Sequence, residues 1–265
     1  ESGFAVSMPD ANTLAIGAYL NDGNGSDAGH VRVYTWNGSA WIQKGADIDG
    51  ETSGDFSGYS ISMPDANTLA IGAPNNDGNG TDAGHVRVYS WNGSAWVQKG
   101  ADIDGEAAGD ESGSSVSMSD ANTLAIGAWL NDGNGSRAGH VRIYSWNGSA
   151  WTQKGADIDG EAANDQSGSS VSMPDANTVA IGAWLNDGNG SNAGHARIYE
   201  WNGSAWVQKG MDIDGEAASD FSGESVSMPD ANTLAIGARL NDGNGNSAGH
   251  ARIYEWNGSA WVQKG

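Results

Sequence analysis

The chain has 265 residues, with 12 Lys and Arg against 33 Asp and Glu and a formal charge of −21. A field of that sign repels nucleic acid and anionic membrane and favours cations or basic partners. There are no cysteines, which excludes disulfides and thiolate metal sites, and no apolar run approaches the roughly 20 residues of a spanning helix, so no membrane insertion is expected.

Glycine is abundant (41 residues) and proline scarce (5), which fits neither collagen nor a proline-rich linker. Twelve tryptophans and recurrent Val, Ile, Leu and Tyr argue against disorder. The chain starts at Glu1 without Met or a signal peptide and ends in a different phase of its repeat. It reads as a processed product or an excerpt of a longer array.

Asp10, Asp65, Asp120, Asp175 and Asp230 open the same Asp-Ala-Asn-Thr phrase, each 55 residues after the last. A fixed long period marks a repeat architecture. It divides the chain into units of approximately 1–55, 56–110, 111–165, 166–220 and 221–265, one continuous array.

The third unit shows the elements in order. Val116-Ser117-Met118 alternates and predicts strand A. Ser119 to Asn122 is turn chemistry, and Thr123 to Ala128 predicts strand B, with Leu124 and Ile126 on one face and small residues on the other. A loop rich in Asn, Asp and Gly runs from Asn131 to Gly139. His140 to Trp146 alternates and is rich in β-branched and aromatic residues, which predicts strand C. Asn147-Gly148 is a strong hairpin signal, Trp151 to Lys154 is strand D, and Ala156 to Asp165 links to the next unit. Nothing has helical period.

Four short antiparallel strands make a blade, and five blades predict an all-β fold, a β-propeller with a 55-residue repeat. A β-solenoid usually has shorter coils. The small face of strand B (Ala125, Gly127) suits close packing between blades, and Trp pairs such as Trp146 and Trp151 are expected as inter-blade filler. No strand is left over at either end, so five blades close by side-chain packing or belong to a larger assembly.

Phe56-Ser57-Gly58 before strand A and Gly72-Ala73-Pro74 after strand B resemble the two halves of an FG-GAP repeat, the propeller repeat of integrin α-subunits and many bacterial surface proteins. The Trp-x-Gln-Lys-Gly strand and the following Asp-Gly linker are closer to the bacterial branch. The resemblance implies a propeller, an extracellular or cell-surface setting, and adhesion or ligand binding without catalysis. Integrin-type units carry a calcium loop between strands A and B; here that connection is only Met-Pro-Asp-Ala-Asn, or Met-Ser-Asp-Ala-Asn, too short for it.

Strands that run up and down put the B–C loop and the D–A linker at one rim, the upper, and the A–B and C–D turns at the other. Copies differ mainly at four sets of upper-rim positions: Glu1/Phe56/Glu111/Gln166/Phe221, Phe4/Tyr59/Ser114/Ser169/Glu224, Tyr19/Pro74/Trp129/Trp184/Arg239 and Asp27/Asp82/Arg137/Asn192/Ser247. Variation concentrated in loops of one face fits a recognition surface, and it fits drift of exposed loops as well. Tyr19, Phe56, Tyr59, Trp129, Trp184 and Arg239 are the candidate ligand residues, since aromatic side chains dominate contact energies.

The acidic linkers are candidate calcium loops, because alternate residues of a tight loop can converge hard oxygens on one cation. The sets are Asp47, Asp49, Glu51 and Asp55; Asp102, Asp104, Glu106 and Asp110; Asp157, Asp159, Glu161 and Asp165; and Asp212, Asp214, Glu216 and Asp220. Glu stands at the fifth position and no Gly at the sixth, so a solvated acidic linker is the other reading. Asn-x-Ser/Thr patterns at Asn24, Asn37, Asn79, Asn92, Asn134, Asn147, Asn189, Asn202 and Asn257 are candidate glycan acceptors. Asn-Gly is also what the C–D hairpins need.

One His opens strand C in each unit (His30, His85, His140, His195, His250), which reads as structural hydrogen bonding. No nucleophile elbow, phosphate loop or zinc-protease motif is present, and near-identical carboxylates do not supply the two unlike environments an acid/base pair needs. The expectation is a non-catalytic binding or adhesion scaffold taking a protein or glycan ligand. The alternatives are a building block of a surface filament or sheath that self-associates through its blades and, more distantly, a hydrolase-associated propeller.

Overall fold

The structure, a computed structural model, describes residues 1–265 and contains strands, turns and loops but no helix. Strand A is Val6–Asp10, Ser60–Asp65, Ser115–Asp120, Ser170–Asp175 and Ser222–Asp230 in successive repeats. Strand B is Thr13–Ala18, Thr68–Ala73, Thr123–Ala128, Thr178–Ala183 and Thr233–Ala238. Strand C is His30–Trp36, His85–Trp91, His140–Trp146, His195–Trp201 and His250–Trp256, and strand D is Trp41–Gln43, Trp96–Gln98, Trp151–Gln153, Trp206–Gln208 and Trp261–Gln263. Each repeat forms its own sheet in the order A-B-C-D.

The linker also contributes a strand that the sequence did not announce. Ile48–Asp49, Ile103–Asp104, Ile158–Asp159 and Ile213–Asp214 pair with the start of strand C, for example Val31 with Ile48 and His30 with Asp49. Strand C has seven residues and strand D three, so D leaves the upper part of C's edge unpaired and the linker fills it. Unpaired backbone groups are costly when buried, which favours that closure.

The A–B turn shows how local chemistry sets the register. Asp65 Oδ1 accepts from Asn67 N at 2.7 Å, and its Oδ2 accepts from Thr68 Oγ1 at 3.1 Å. The register shifts between Ser62 and Asp65, so Pro64 sits in a bulge, where its missing N–H is tolerated.

Residues 1–126 with 144–152 form one compact unit, and residues 127–143 with 153–265 form another. In the first, the core lies between sheets: Ala15, Val31, Val33 and Ile48 of the first blade meet Met63, Leu69, Ile71 and Tyr89 of the second. The same halves recur between the second and third blades. In the second unit they recur between the fourth and fifth, with Ala180, Ala196, Ile198 and Ile213 against Met228, Leu234, Ile236 and Tyr254. Strand B thus gives its small face to the following blade and its Leu/Ile face to the preceding one, as its alternation predicts.

The Trp pairs are inter-blade filler, clamped by a lysine. Lys44 Nζ lies 5.2 Å from the rings of both Trp91 and Trp96 of the next blade. It donates to Ala66 O at 2.5 Å and Asn67 Oδ1 at 2.8 Å, and Trp96 Nε1 donates back to Lys44 O at 2.8 Å. Lys99 with Trp146 and Trp151 repeats this in the first unit, and Lys154 and Lys209 repeat it in the second. Cation–π attraction and charge-assisted hydrogen bonds act together there.

Candidate functional site

The upper rim is assembled by hydrogen bonds between loop, linker and the next blade. Asn24 Nδ2 donates to Gly50 O at 2.7 Å, and Gly54 N donates to Ser26 O at 2.9 Å. An isolated parallel bridge joins Gly29 to Ser57, and the same bridge recurs at Gly84 and Ser112, at Gly139 and Ser167, and at Gly194 and Ser222. The residue before that Ser has a left-handed backbone, φ 58° at Phe56 and 55° at Phe221. Such a conformation is costly for a bulky residue, and here the tight entry into strand A imposes it.

The structure brings the six candidate ligand residues into two clusters, one per unit. In the first unit, Phe4 lies 4.6 Å from Tyr19 and 5.0 Å from Tyr59, while Tyr19 lies 5.5 Å from both Phe56 and Tyr59. Tyr19 OH donates to Glu1 Oε2 at 3.1 Å. In the second unit, Trp129 stacks on Trp184 at 6.4 Å and 22°, and Trp184 meets Phe221 at 5.3 Å. Arg239 lies 5.1 Å from Trp184 and 5.3 Å from Phe221, and its Nε is 2.9 Å from Glu224 Oε2. Trp184 Nε1 donates to Gln166 Oε1 at 2.8 Å. Tyr19, Phe56, Tyr59, Trp129 and Trp184 are half-buried and Arg239 is exposed, so the rings are held from beneath with one side open. Burial pushes the Tyr59 hydroxyl and the Glu224 carboxyl up, with Arg239 opposing it at Glu224.

The linker carboxylates divide among different partners. Asp47 accepts from Arg32 at 2.9 and 2.7 Å and from Gln43 at 2.7 Å, and that pairing holds it down at about 2. Asp55 accepts from the Glu51 and Thr52 amides and from Thr52 Oγ1, closing the linker turn. Asp110 accepts from Ala107 N; Asp165 and Asp220 each take an equivalent backbone amide and the side chain of Asn186 or Asn241. Gln98, Gln153 and Gln208 donate to Asp102, Asp157 and Asp212. Asp104, Asp159 and Asp214 belong to the linker strands.

The glutamates face the next blade. Glu51 lies 3.9 Å from His85 Nδ1 and 3.5 Å from Arg87, and Glu161 lies at the same distances from His195 and Arg197. Glu216 is 3.7 Å from His250. His85 and His195 are buried, and burial with the adjacent Arg pulls both down to about 4. Nε2 of His85 and both ring nitrogens of His195 have no hydrogen-bond partner, so His195 does not form the structural hydrogen bond the sequence suggests. Grouping each linker Glu with its own linker hid this; the signal is its constant spacing to the His of the next repeat.

The Asn patterns differ by location. Asn37 Oδ1 accepts from Ser39 N, Ser39 Oγ and Ala40 N and shapes the exposed C–D turn, as do Asn92, Asn147, Asn202 and Asn257 in theirs. At Asn24, Asn79, Asn134 and Asn189 the Nδ2 atom itself is engaged, donating to a linker carbonyl.

Five successive sheets with this rim define a β-propeller, and solved structures share the fold. A putative 6-phosphogluconolactonase from Bacteroides uniformis is 8% identical with a TM-score of 0.55, over 99% of this chain and 83% of that one. The SapL1 lectin in complex with α-methyl fucoside is 15% identical with a TM-score of 0.55, over 98% and 77%. The β-propeller domain of the Trilobed protease from Pyrococcus furiosus is 10% identical with a TM-score of 0.53, over 98% and 70%. No curated protein matches the chain in sequence. Residues 101–144 and 156–199 match the FG-GAP repeat model. The chain is therefore a β-propeller in which these two segments match FG-GAP repeats.

Proposed function

We propose that this chain is a non-catalytic, extracellular or cell-surface binding and adhesion scaffold, with its ligand face on the B–C loops and D–A linkers. The observation that carries this is the assembly of the most variable rim positions into open aromatic clusters, while the lower turns stay nearly constant. Rings fixed from beneath lose little conformational freedom on binding, which is where contact energy concentrates. Trp184, flanked by Trp129 and Arg239, offers a flat apolar face beside a cation, suited to a sugar ring or to a protein loop. The turn asparagines Asn37, Asn92, Asn147, Asn202 and Asn257 are the exposed acceptors that such a setting offers to glycan. A glycan and peptide array probed with the chain finds the ligand. Trp184→Ala is then expected to weaken binding by at least about tenfold, roughly 1.4 kcal/mol. An unchanged affinity in both Trp184→Ala and Tyr19→Ala contradicts a rim site.

The second reading, a self-associating building block, is favoured by the terminal blades. In the first blade the face that interior repeats bury is exposed, with Val6 at 62% and Met8 at 54%. In the fifth blade Ile253 is 46% exposed, and Lys264 is solvated rather than sandwiched. These two faces carry the same complementary halves that join successive blades elsewhere, including the Met63 N to Ser7 Oγ bond that recurs at Met118 and Met228. Such a contact is heterologous and propagates head to tail. Light scattering is expected to show a mass that rises with concentration and is reduced by Val6→Glu. A single monomer mass at every concentration contradicts self-association.

A further inference from the structure

We propose that His195, Glu161 and Asp212 form a binding site for a divalent first-row transition metal such as Zn(II), with Asp214 beside it, distinct from a calcium loop confined to one linker. His195 is 1% exposed, and neither ring nitrogen has a hydrogen-bond partner. Its Nδ1 points at Glu161 Oε2, 3.9 Å away, and Asp214 Oδ1, 4.0 Å away. The ligand atoms of Glu161, His195 and Asp212 all lie within 4.8 Å of one another.

The distances decide what fits between these groups. A direct N–H···O bond requires about 2.7–3.2 Å. Two ligands on one zinc, each at about 2.0–2.1 Å, stand up to about 4 Å apart. The buried nitrogen and its facing oxygens therefore stand too far apart to bond directly, and the half-exposed carboxylates need move in by only about half an ångström to reach the roughly 3.3 Å spacing of neighbouring ligands on a tetrahedral zinc. A buried imidazole nitrogen with carboxylates selects a transition metal over calcium, which takes oxygen ligands in larger number.

The surroundings support the site. Arg197 lies 3.5 Å from Glu161 Oε1 and donates to Asp159 O at 2.7 Å, holding the carboxylate with its other oxygen toward His195. The Glu161 and Asp214 side chains are both 43% exposed, so a hydrated ion can enter from solvent. The arrangement also recurs in the other unit, where His85 Nδ1 lies 3.9 Å from both Glu51 and Asp102.

The test uses the full chain, stripped with chelator and titrated separately with Zn(II), Co(II) and Ca(II). Zn(II) is expected to bind and raise Tm, since an ion held only by the native state stabilises it. Co(II) is expected to show the visible absorption of a nitrogen-containing set, and Ca(II) to compete poorly. His195→Asn should remove one bound Zn(II) per chain. Should that variant fold poorly, Asp212→Asn and Glu161→Gln, on the solvent side, should each weaken the same ion at least about tenfold. No Zn(II) binding by the native chain, or equal stoichiometry and affinity in all three variants, overturns the site.

Discussion

Gly182→Ala is expected to cost at least about 3 kcal/mol, whereas Gly237→Ala, at the same position of strand B in the fifth blade, is expected to cost under about 1 kcal/mol. A methyl group at Gly182 would collide with the carbonyl oxygen of Gly223 in the next blade, and backbone there has no room to retreat. The equivalent methyl at Gly72 meets Gly113, and at Gly17 it meets Gly58. At Gly237 only atoms of Ser225 lie near, and its hydroxyl can rotate away. The two substitutions are chemically identical and differ in whether the backbone of another blade packs against the methyl. Urea melts of both variants, run dilute enough to keep the chain monomeric, give the comparison. Equal losses would mean that close approach of blades is not what strand B glycines provide.

The second large effect is acid sensitivity of the metal-free protein. An ordinary His titrates near 6.5, while His85 and His195 are held at about 4. Between those values the unfolded chain binds more protons than the native one, so stability falls as pH falls. The contribution is fully present above pH 6.5 and lost by about pH 4. A shift of this size corresponds to about 3 kcal/mol for each ring. Burial also pushes Glu161 and Asp214 up, which lets the native state take protons early and offsets part of the loss around His195. His85 is therefore the cleaner probe. Denaturant melts from pH 7 to pH 4 should show the decline, and His85→Gln should flatten it. A native chain equally stable at both ends of that window contradicts neutral, buried imidazoles.

Much of the blade was legible in the sequence because strands B and C carry strong alternation and sharp ends. Thr123–Ala128 and His140–Trp146 fall where the pattern puts them. The Trp pairs were legible as filler, but their lysine partner was not, since it lies a repeat earlier in the chain. The Ile-Asp linker strand escaped because two residues have no periodicity; only the unequal lengths of C and D reveal the vacant edge. Rim residues were legible because the copies can be compared; that Tyr19 meets Phe56 and Tyr59 was not, since those contacts join successive repeats. The acidic linker was misleading in one respect. Asp49 and Glu51, two residues apart, turn toward different histidines, His30 and His85, because Asp49 lies in the linker strand and Glu51 lies past its end.

Hydrogen–deuterium exchange of the chain, free and saturated with its ligand, tests most directly whether the variable rim is the working face. Slowed exchange is expected in the B–C loops and D–A linkers around Tyr19, Phe56, Trp129, Trp184 and Arg239, with the Asn-Gly turns unchanged. Protection centred on those turns, from Asn37 to Asn257, would contradict the assignment.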